Sequence, residues 1–422
     1  MATNSIIEVW AFGTELGKLG YNIDQRKCYF QYSPQFLESW PYPRMFPFIF
    51  KKIKAVQVFT EYEGGTFKGL PPMIADSLPD MFGNIIFKEW FEANNKGFDK
   101  ITPLEQLAYV ANRGMGALEY RPVIEIPTTA TINIEEVVTV LQKVLDVKKS
   151  ALEKNLSHPA LLNIFKIGSS AGGARPKILI SEHKETKNII PGDIEYSDDY
   201  NHWLVKLCLD ENDGYNKEKV EYAYYQLTQK VGIDMMHSEL IENRHFATRR
   251  YDRQNGVKQH VLTASGLTGW DFMKPENGTY ENVFKLALNL KVPHRDLQEL
   301  FKRMVFNTVF LNYDDHLKNH SFIYHQKDDS WRLGPAYDIT YSFNVRLNYL
   351  KKTRALSING KRTGFILKDL LVVAETFAIK NPKGIIQEVQ NAVLEWRSLA
   401  QNLEIPNFVI ETIEKEFQIF EV

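Results

Sequence analysis

Cysteine is nearly absent from this chain: Cys28 and Cys208 are the only two among 422 residues. They stand far apart without metal-ligand spacing, which argues against a disulfide framework or a thiolate metal site and for two reduced structural thiols. Charge of one sign is lacking too. Lys and Arg total 51 against 52 Asp and Glu, a formal charge of −1, so the chain is not built to hold nucleic acid by bulk electrostatics. No apolar run approaches the roughly 18 residues of a membrane span. No basic segment followed by an apolar run opens the sequence, so no signal peptide is expected. These absences lead to the expectation of a soluble cytoplasmic protein. Apolar residues at 44% and aromatics at 13% are ample for two or three packed units.

Residues 6 to about 70 read as β, with strands at 6–12, 16–19 and 27–32 set by alternation and a turn at Gly13. The cluster Trp40-Pro-Tyr-Pro-Arg-Met-Phe-Pro47 is no helix interior, because proline there costs too much. Its aromatics Trp40, Tyr42 and Phe46, with Phe48, read either as a docking surface or as part of a small β core. A helix over 78–91 is expected to enter through Pro79. A second, over 102–111, carries a capping box of Thr102 and Glu105. A linker spans about 124–136, followed by a helix from Glu135 to Lys154. Then come a Gly-rich loop, Gly168 to Lys177, a strand over 178–181, a strand over 202–209 and a helix from Lys217 to Val231. Beyond Leu297 the chain reads as mostly helical, with closing helices at 368–378, 383–402 and 406–418.

The stretch Phe310-Leu-Asn-Tyr-Asp-Asp-His-Leu-Lys-Asn319 carries the chemistry. Asp314 and Asn319 fit Asp-x-x-x-x-Asn, the spacing in which a carboxylate accepts a hydroxyl proton and an amide oxygen holds magnesium. Two short apolar runs, 321–324 and 331–333, flank the polar Lys327–Ser330 and read as a hairpin. Asp338 follows in Ala336-Tyr-Asp-Ile339, where a kinase keeps its second metal-binding carboxylate. An Asp-Asp-His cluster alone is usually a solvated loop or a helix cap. The order of base, amide, hairpin and carboxylate is what points to phosphoryl transfer. Lys206, on a strand after a Gly-rich loop, stands where a kinase lysine reaches nucleotide phosphates; an exposed edge-strand lysine is the plainer alternative. Glu221 is a candidate partner for it, or a first-turn glutamate suited to the helix dipole.

The ordered set resembles the HipA family of bacterial Ser/Thr kinases, the toxin components of toxin–antitoxin pairs. Gly168-Ser-Ser-Ala-Gly-Gly-Ala-Arg-Pro-Lys177 looks like its phosphate loop and Arg250-Tyr-Asp-Arg253 like its hinge. Asn312–Asn319 and Pro335–Ile339 look like its catalytic and metal motifs, and Leu78-Pro-Asp80 with Asn112-Arg-Gly-Met-Gly116 like its N-terminal subdomain. Two positions depart from the pattern: Arg249 replaces an acidic residue, and His260-Val-Leu-Thr stands for His-Gln-Glu-Asp. The resemblance implies an α+β fold, with a bilobal protein-kinase-like core, an N-terminal β-rich subdomain and a mostly helical C-terminal lobe. The implied division is 1–123, 124–255 and 256–422.

The resemblance further implies ATP and Mg²⁺ as cofactors, Asp314 as base, and Asn319 and Asp338 as metal ligands. Lys206 would bind nucleotide phosphates, Ser170 and Lys177 would act in the phosphate loop, and Arg250 and Tyr251 in the hinge. Implied partners are a protein substrate and a helix-turn-helix antitoxin, through which alone DNA is met; no membrane is implied. Ser170 is expected to be autophosphorylated, with Ser169 as the adjacent alternative. A phosphate there adds a charge of about −1.5 to −2 that repels ATP and switches the enzyme off. Rival readings are a small-molecule kinase, a pseudokinase co-repressor, and a nuclease or phosphatase using Asp314, Asp315, His316 and His320 with a transition metal.

Overall fold

Strands β1 (Ile6–Ala11) and β2 (Thr14–Asn22) form a hairpin whose turn residues, Phe12 and Gly13, have φ of 52° and 74°. That handedness matches the twist of the flanking strands. In the computed structural model, residues 6–94, 97–124, 131–145, 158–168, 175–192, 197–209, 213–345 and 352–422 are described. With β3 (Lys27–Tyr32), β4 (Gln57–Phe59) and β5 (Glu119–Arg121) the hairpin makes a five-stranded sheet of order β4-β3-β2-β1-β5.

The region up to residue 70 is less β than expected. A helix, Pro34–Ser39, interrupts it because Ser33 caps Phe36 N–H at 3.1 Å and Pro34 suits the first turn. The aromatic cluster is largely core. Tyr42 and Phe46 are buried at 7% and 8% exposure, and Phe46 stands edge-on to Tyr32, Phe36 and Phe50. Phe48, at 41%, is the exposed one of the four candidates.

The helix Met81–Ala93 starts after Asp80, so Pro79 lies outside it rather than in its first turn. The helix Pro103–Val110 opens on the expected capping box. Thr102 N–H donates to Glu105 Oε2 at 2.7 Å, and Glu105 N–H to Thr102 Oγ1 at 3.2 Å. Further on are the helices Ile134–Val144 and His158–Gly168; residues 146–154 of the longer helix expected from Glu135 to Lys154 lie outside the described residues. Phe165 of the second packs on Phe87, Trp90 and Tyr109 at 4.8, 5.2 and 5.8 Å between ring centres. Strands β6 (Lys177–His183), β7 (Ile189–Pro191) and β8 (Tyr200–Lys206) run antiparallel in the order β7-β6-β8. These elements belong to one compact unit, residues 1–209, 247–261 and 266–269.

The second unit comprises 210–246, 262–265 and 270–422. Its spine is the helix His294–Val309, which buries Leu297, Leu300, Phe301, Met304, Val305 and Val309, the face that the helical spacing predicts. A hairpin of Ser321–His325 and Ser330–Leu333 follows, paired from Phe322 with Leu333 to His325 with Ser330. Helices Lys217–Lys230, Tyr280–Asn289, Leu367–Thr376, Pro382–Asn391, Trp396–Asn402 and Asn407–Glu414 complete the unit. The single helix expected over 383–402 is broken by a 3₁₀ turn at Ala392–Glu395. The last helix stops at Glu414, leaving an irregular tail. The α+β class is as expected, and no helix among the described residues is long and apolar enough to cross a membrane.

Candidate functional site

The long helix ends at Phe310, and Leu311 takes a left-handed φ of 58° that turns the chain sharply into the loop. Asn312, 2% exposed, is the knot of that loop. Its Nδ2 donates to Asn307 Oδ1 at 3.1 Å and to the Asp338 carbonyl at 3.2 Å. Its Oδ1 accepts from Ser342 Oγ at 3.0 Å, and Ser342 Oγ in turn accepts from Asp314 N–H at 3.1 Å. The backbones of Asp314 and Asp338 are thus fixed through one buried amide.

Asn319 closes the loop. Its Nδ2 donates to the Asp314 carbonyl at 2.9 Å, and its N–H to the His316 carbonyl at 2.8 Å. With the NH₂ so committed, Oδ1 is the end left to act as a ligand. Asp314 itself is exposed, Asn319 and Asp338 are half-buried, and Asp338 holds a left-handed φ of 54°. Tyr337 Oη donates to the Lys318 carbonyl at 2.6 Å and ties the Asp338 stretch to the loop a second time.

The hairpin sets where Asp338 arrives. Asp296 accepts Arg332 Nε and Nη2, each at 2.7 Å, and Leu333 N–H at 2.9 Å, which pins the second strand to the long helix. Arg303, 3% exposed, donates through Nη1 to the Gly334 carbonyl at 2.8 Å. Gly334 is needed there, because a Cβ would stand 2.7 Å from Ser321 Oγ and 3.1 Å from the Ser321 carbonyl oxygen.

Beneath the loop lies a buried network that the sequence reading missed. Asp315, 1% exposed, accepts from Arg354, from Tyr280 Oη, and from Asn307 Nδ2 at 3.4 Å. Burial raises the Asp315 carboxyl above its ordinary value, with the Arg354 charge and these hydrogen bonds opposing the rise. Arg354 also donates to Thr308 Oγ1 at 3.0 Å, and its guanidinium lies 5.1 Å from the Tyr313 ring centre. His320 is 3% exposed, and burial, then Arg303, pushes its pKa down to about 3. With Asp315 consumed by Arg354 and His320 inside the core, the transition-metal reading of this cluster loses two of its four ligands.

Lys177, Lys206, Arg250 and Tyr251 lie in the first unit. Lys177 and Lys206 are direct cross-strand partners in β6 and β8, 4% and 5% exposed, so neither is an exposed edge lysine. Glu221, fully buried on Lys217–Lys230, belongs to the second unit. Ser169 and Ser170 fall outside the described residues. Arg250 donates its N–H to the His202 carbonyl at 2.9 Å, and its guanidinium grips Asp252 at 3.0 and 2.8 Å. Tyr251 is 9% exposed. Arg249 lies over the Trp203 ring at 4.5 Å.

Asp252 also accepts from Arg253 at 2.7 Å and from Gly116 N–H at 2.9 Å, while Arg253 donates to the Gly114 carbonyl at 2.8 Å. The Arg250–Arg253 motif therefore serves as a lock on the Asn112–Gly116 loop, a tie of residues 136 positions apart that neither motif announces alone. Burial would raise the Asp252 carboxyl, but Arg250 and Arg253 hold it well below the usual range. Burial, then the two arginines, also keeps the neighbouring His202 down at about 4.

The comparisons with known proteins agree with this architecture. Residues 7–121 match the HipA N-terminal domain and residues 169–396 the HipA-like C-terminal domain. A curated relative, "Putative kinase Y4dM" of Sinorhizobium fredii (strain NBRC 101917 / NGR234), is 24% identical over 235 residues, 50% of this chain and 56% of the relative. The match thus spans little more than half the length of that relative. Among solved structures, Shewanella oneidensis MR-1 HipA, determined with HipB and its operator DNA, aligns over 96% of this chain and 95% of its own. Its TM-score is 0.64 at 15% identity, so the two share the α+β kinase-like fold. Matched over both of its domains, the chain belongs to the HipA family.

Proposed function

We propose that this chain is an ATP- and Mg²⁺-dependent protein serine/threonine kinase and the toxin of a toxin–antitoxin pair. The observation that carries the reading is the Asn319 Nδ2 bond to the Asp314 carbonyl at 2.9 Å, with Asp338 drawn in by Asn312. It ties the backbones of Asp314 and Asp338 beside Asn319, whose Oδ1 is left to act as a ligand, which supports the base, amide and carboxylate order that phosphoryl transfer uses.

In this reading Asp314 accepts the proton of the attacking hydroxyl, for which its exposure is suited. Asn319 Oδ1 and the Asp338 carboxylate are hard oxygen donors, the set that suits Mg²⁺. Bound there, the metal supplies charge neutralisation at the transferring phosphoryl group. Lys206 and Lys177, side by side on one sheet, face the nucleotide phosphates, and Arg250 and Tyr251 belong to the adenine side. Ser170 takes a phosphate from the enzyme itself and, once charged, repels ATP.

The partner in this reading is a helix-turn-helix antitoxin, supported by the HipB-bound state of the Shewanella protein. It would supply the DNA contacts that a chain of formal charge −1 lacks. The test is to incubate purified protein with labelled ATP and Mg²⁺ and map phosphosites by mass spectrometry. Label on protein serine or threonine, Ser170 included, is expected; label confined to small molecules, or none, would overturn the reading.

A further inference from the structure

The tail after the last helix is outside any helix or strand and lies beyond residue 396, where the match to the HipA-like C-terminal domain ends. Nothing in the proposed chemistry uses it. Yet its residues reach the catalytic loop one after another. Gln418 N–H donates to the Val309 carbonyl at 3.1 Å, one of the helix-end carbonyls left without an intrahelical donor. The Gln418 side-chain amide donates to Tyr313 Oη, next to Asp314. Phe417 packs its ring on Phe310 at 5.0 Å and on Trp396 at 5.9 Å. Phe420 and Gln390 exchange two hydrogen bonds, which anchor the far end.

Glu416 makes the most telling contact. Its carboxylate accepts from Tyr341 Oη at 2.7 Å and pairs with Lys352 Nζ. Tyr341 and Lys352 are 11 residues apart, at the two ends of the stretch after Asp338. Lys352 also rests on the Phe343 ring at 4.8 Å. The same stretch meets the loop at both ends: Ser342 Oγ accepts from Asp314 N–H, and Ala355 N–H donates to the Tyr313 carbonyl at 2.7 Å.

We propose that Glu416 and Gln418 are positioning residues for phosphoryl transfer. They form a strap that holds Tyr313 and Asp314 and both ends of the stretch after Asp338 in one arrangement. The inference rests on the kinase reading above. Glu416 and Lys352 keep 29% and 24% of their side chains exposed, so the pair is no core element whose loss unfolds the unit. What the carboxylate supplies is a fixed crossing point between two segments that have no regular structure there. Freeing that crossing lets Ser342, and with it the Asp314 backbone, drift from the productive position.

The experiment uses the full chain. Glu416→Ala is expected to lower kcat about tenfold with KM for ATP within about twofold, since misplacement of a reacting group costs rate rather than nucleotide binding. Its melting temperature is expected to stay within about 2 °C of wild type. Hydrogen exchange at the Asp314 and Ala355 amides is expected to quicken about tenfold. Lys352→Glu alone behaves like Glu416→Ala, and the Lys352→Glu/Glu416→Lys pair recovers at least about half of kcat. Wild-type kcat and wild-type exchange in Glu416→Ala would overturn the strap, as would a loss of kcat that only tracks the unfolded fraction. If wild type transfers no phosphate, the kinase reading fails by itself. The exchange arm then still decides: faster exchange in Glu416→Ala supports the strap, and unchanged exchange overturns it.

Discussion

Replacing Asp315 by Asn keeps its shape and removes its charge, and the cost can be worked from its surroundings. Asp315 and Arg354 are each 1% exposed. An Asn at 315 still accepts from Tyr280, but Arg354 loses its counter-charge inside the core. What remains for it is Thr308 Oγ1 at 3.0 Å, Tyr280 Oη at 3.5 Å and the rings of Tyr280, Tyr313 and Phe365 at 5.4, 5.1 and 5.7 Å. Cation–π contact returns about 0.5–2 kcal/mol, too little to replace a carboxylate. Breaking a buried pair at one partner costs about 3–5 kcal/mol, and in a unit of this size that lowers Tm by roughly 6–20 °C. Arg354→Met is expected to cost as much from the other side, since Asp315 is then buried without a counter-charge or has to take up a proton. The Asp315→Asn/Arg354→Met double variant removes both charges. It is expected to be at least about 2 kcal/mol more stable than the two single costs summed. Urea and thermal denaturation of the full chain measure all three. A single-variant cost under about 1 kcal/mol, or strict additivity in the double, would refute the description of this core.

Acid stability follows from the first unit. His202 titrates at about 4 in the folded chain against 6.5 when free. The unfolded chain therefore binds more protons between those values, and stability falls as pH drops from 6.5 to 4, by about 2 kcal/mol at pH 5. Asp252, held below the usual carboxylate range, acts in the same direction further down. His202→Gln is expected to shrink the difference in unfolding free energy between pH 7 and pH 5. Gly334→Ala is expected to cost about 1–3 kcal/mol by overpacking against Ser321, and to lower the transfer rate by moving Asp338. Thr102→Ala removes a capping box and is expected to cost about 1 kcal/mol without touching activity, read by denaturation and rate together.

What the sequence made legible was local in spacing. The long helix before the loop shows in the period of its apolar residues, the hairpin in two short runs around Lys327–Ser330, and the candidate site in the order of Asp314, Asn319 and Asp338, which the proposed function takes up. The capping box at Thr102 shows because both its members lie within one turn. The helix His158–Gly168 was missed: the helix expected from Glu135 ends at Lys154, and the short apolar run before the Gly-rich loop carries no expected element, though Pro159 suits a first turn. The supports of the site were hidden for a different reason. Arg354 reaches Asp315 from 39 positions away, Glu416 reaches Lys352 from 64, and Gln418 reaches Tyr313 from 105. An isolated Arg, Glu or Gln carries no period and no motif, so only the folded chain reveals its partner. The hinge motif hid its ties in a related way: the Arg250 and Arg253 guanidinium groups are spent on Asp252 and the Asn112–Gly116 loop, a partner 136 positions away that the motif does not announce.

The central claim is that Asp314, Asn319 and Asp338 make a phosphoryl-transfer site. It is tested most directly by the rate of transfer of labelled phosphate from ATP to protein in the presence of Mg²⁺. Wild type and Asp314→Asn are compared at matched folding and matched nucleotide binding. The account predicts incorporation by wild type and a loss of about 10²-fold or more in the variant, the typical cost of removing a positioned base. Equal incorporation by both proteins would contradict it.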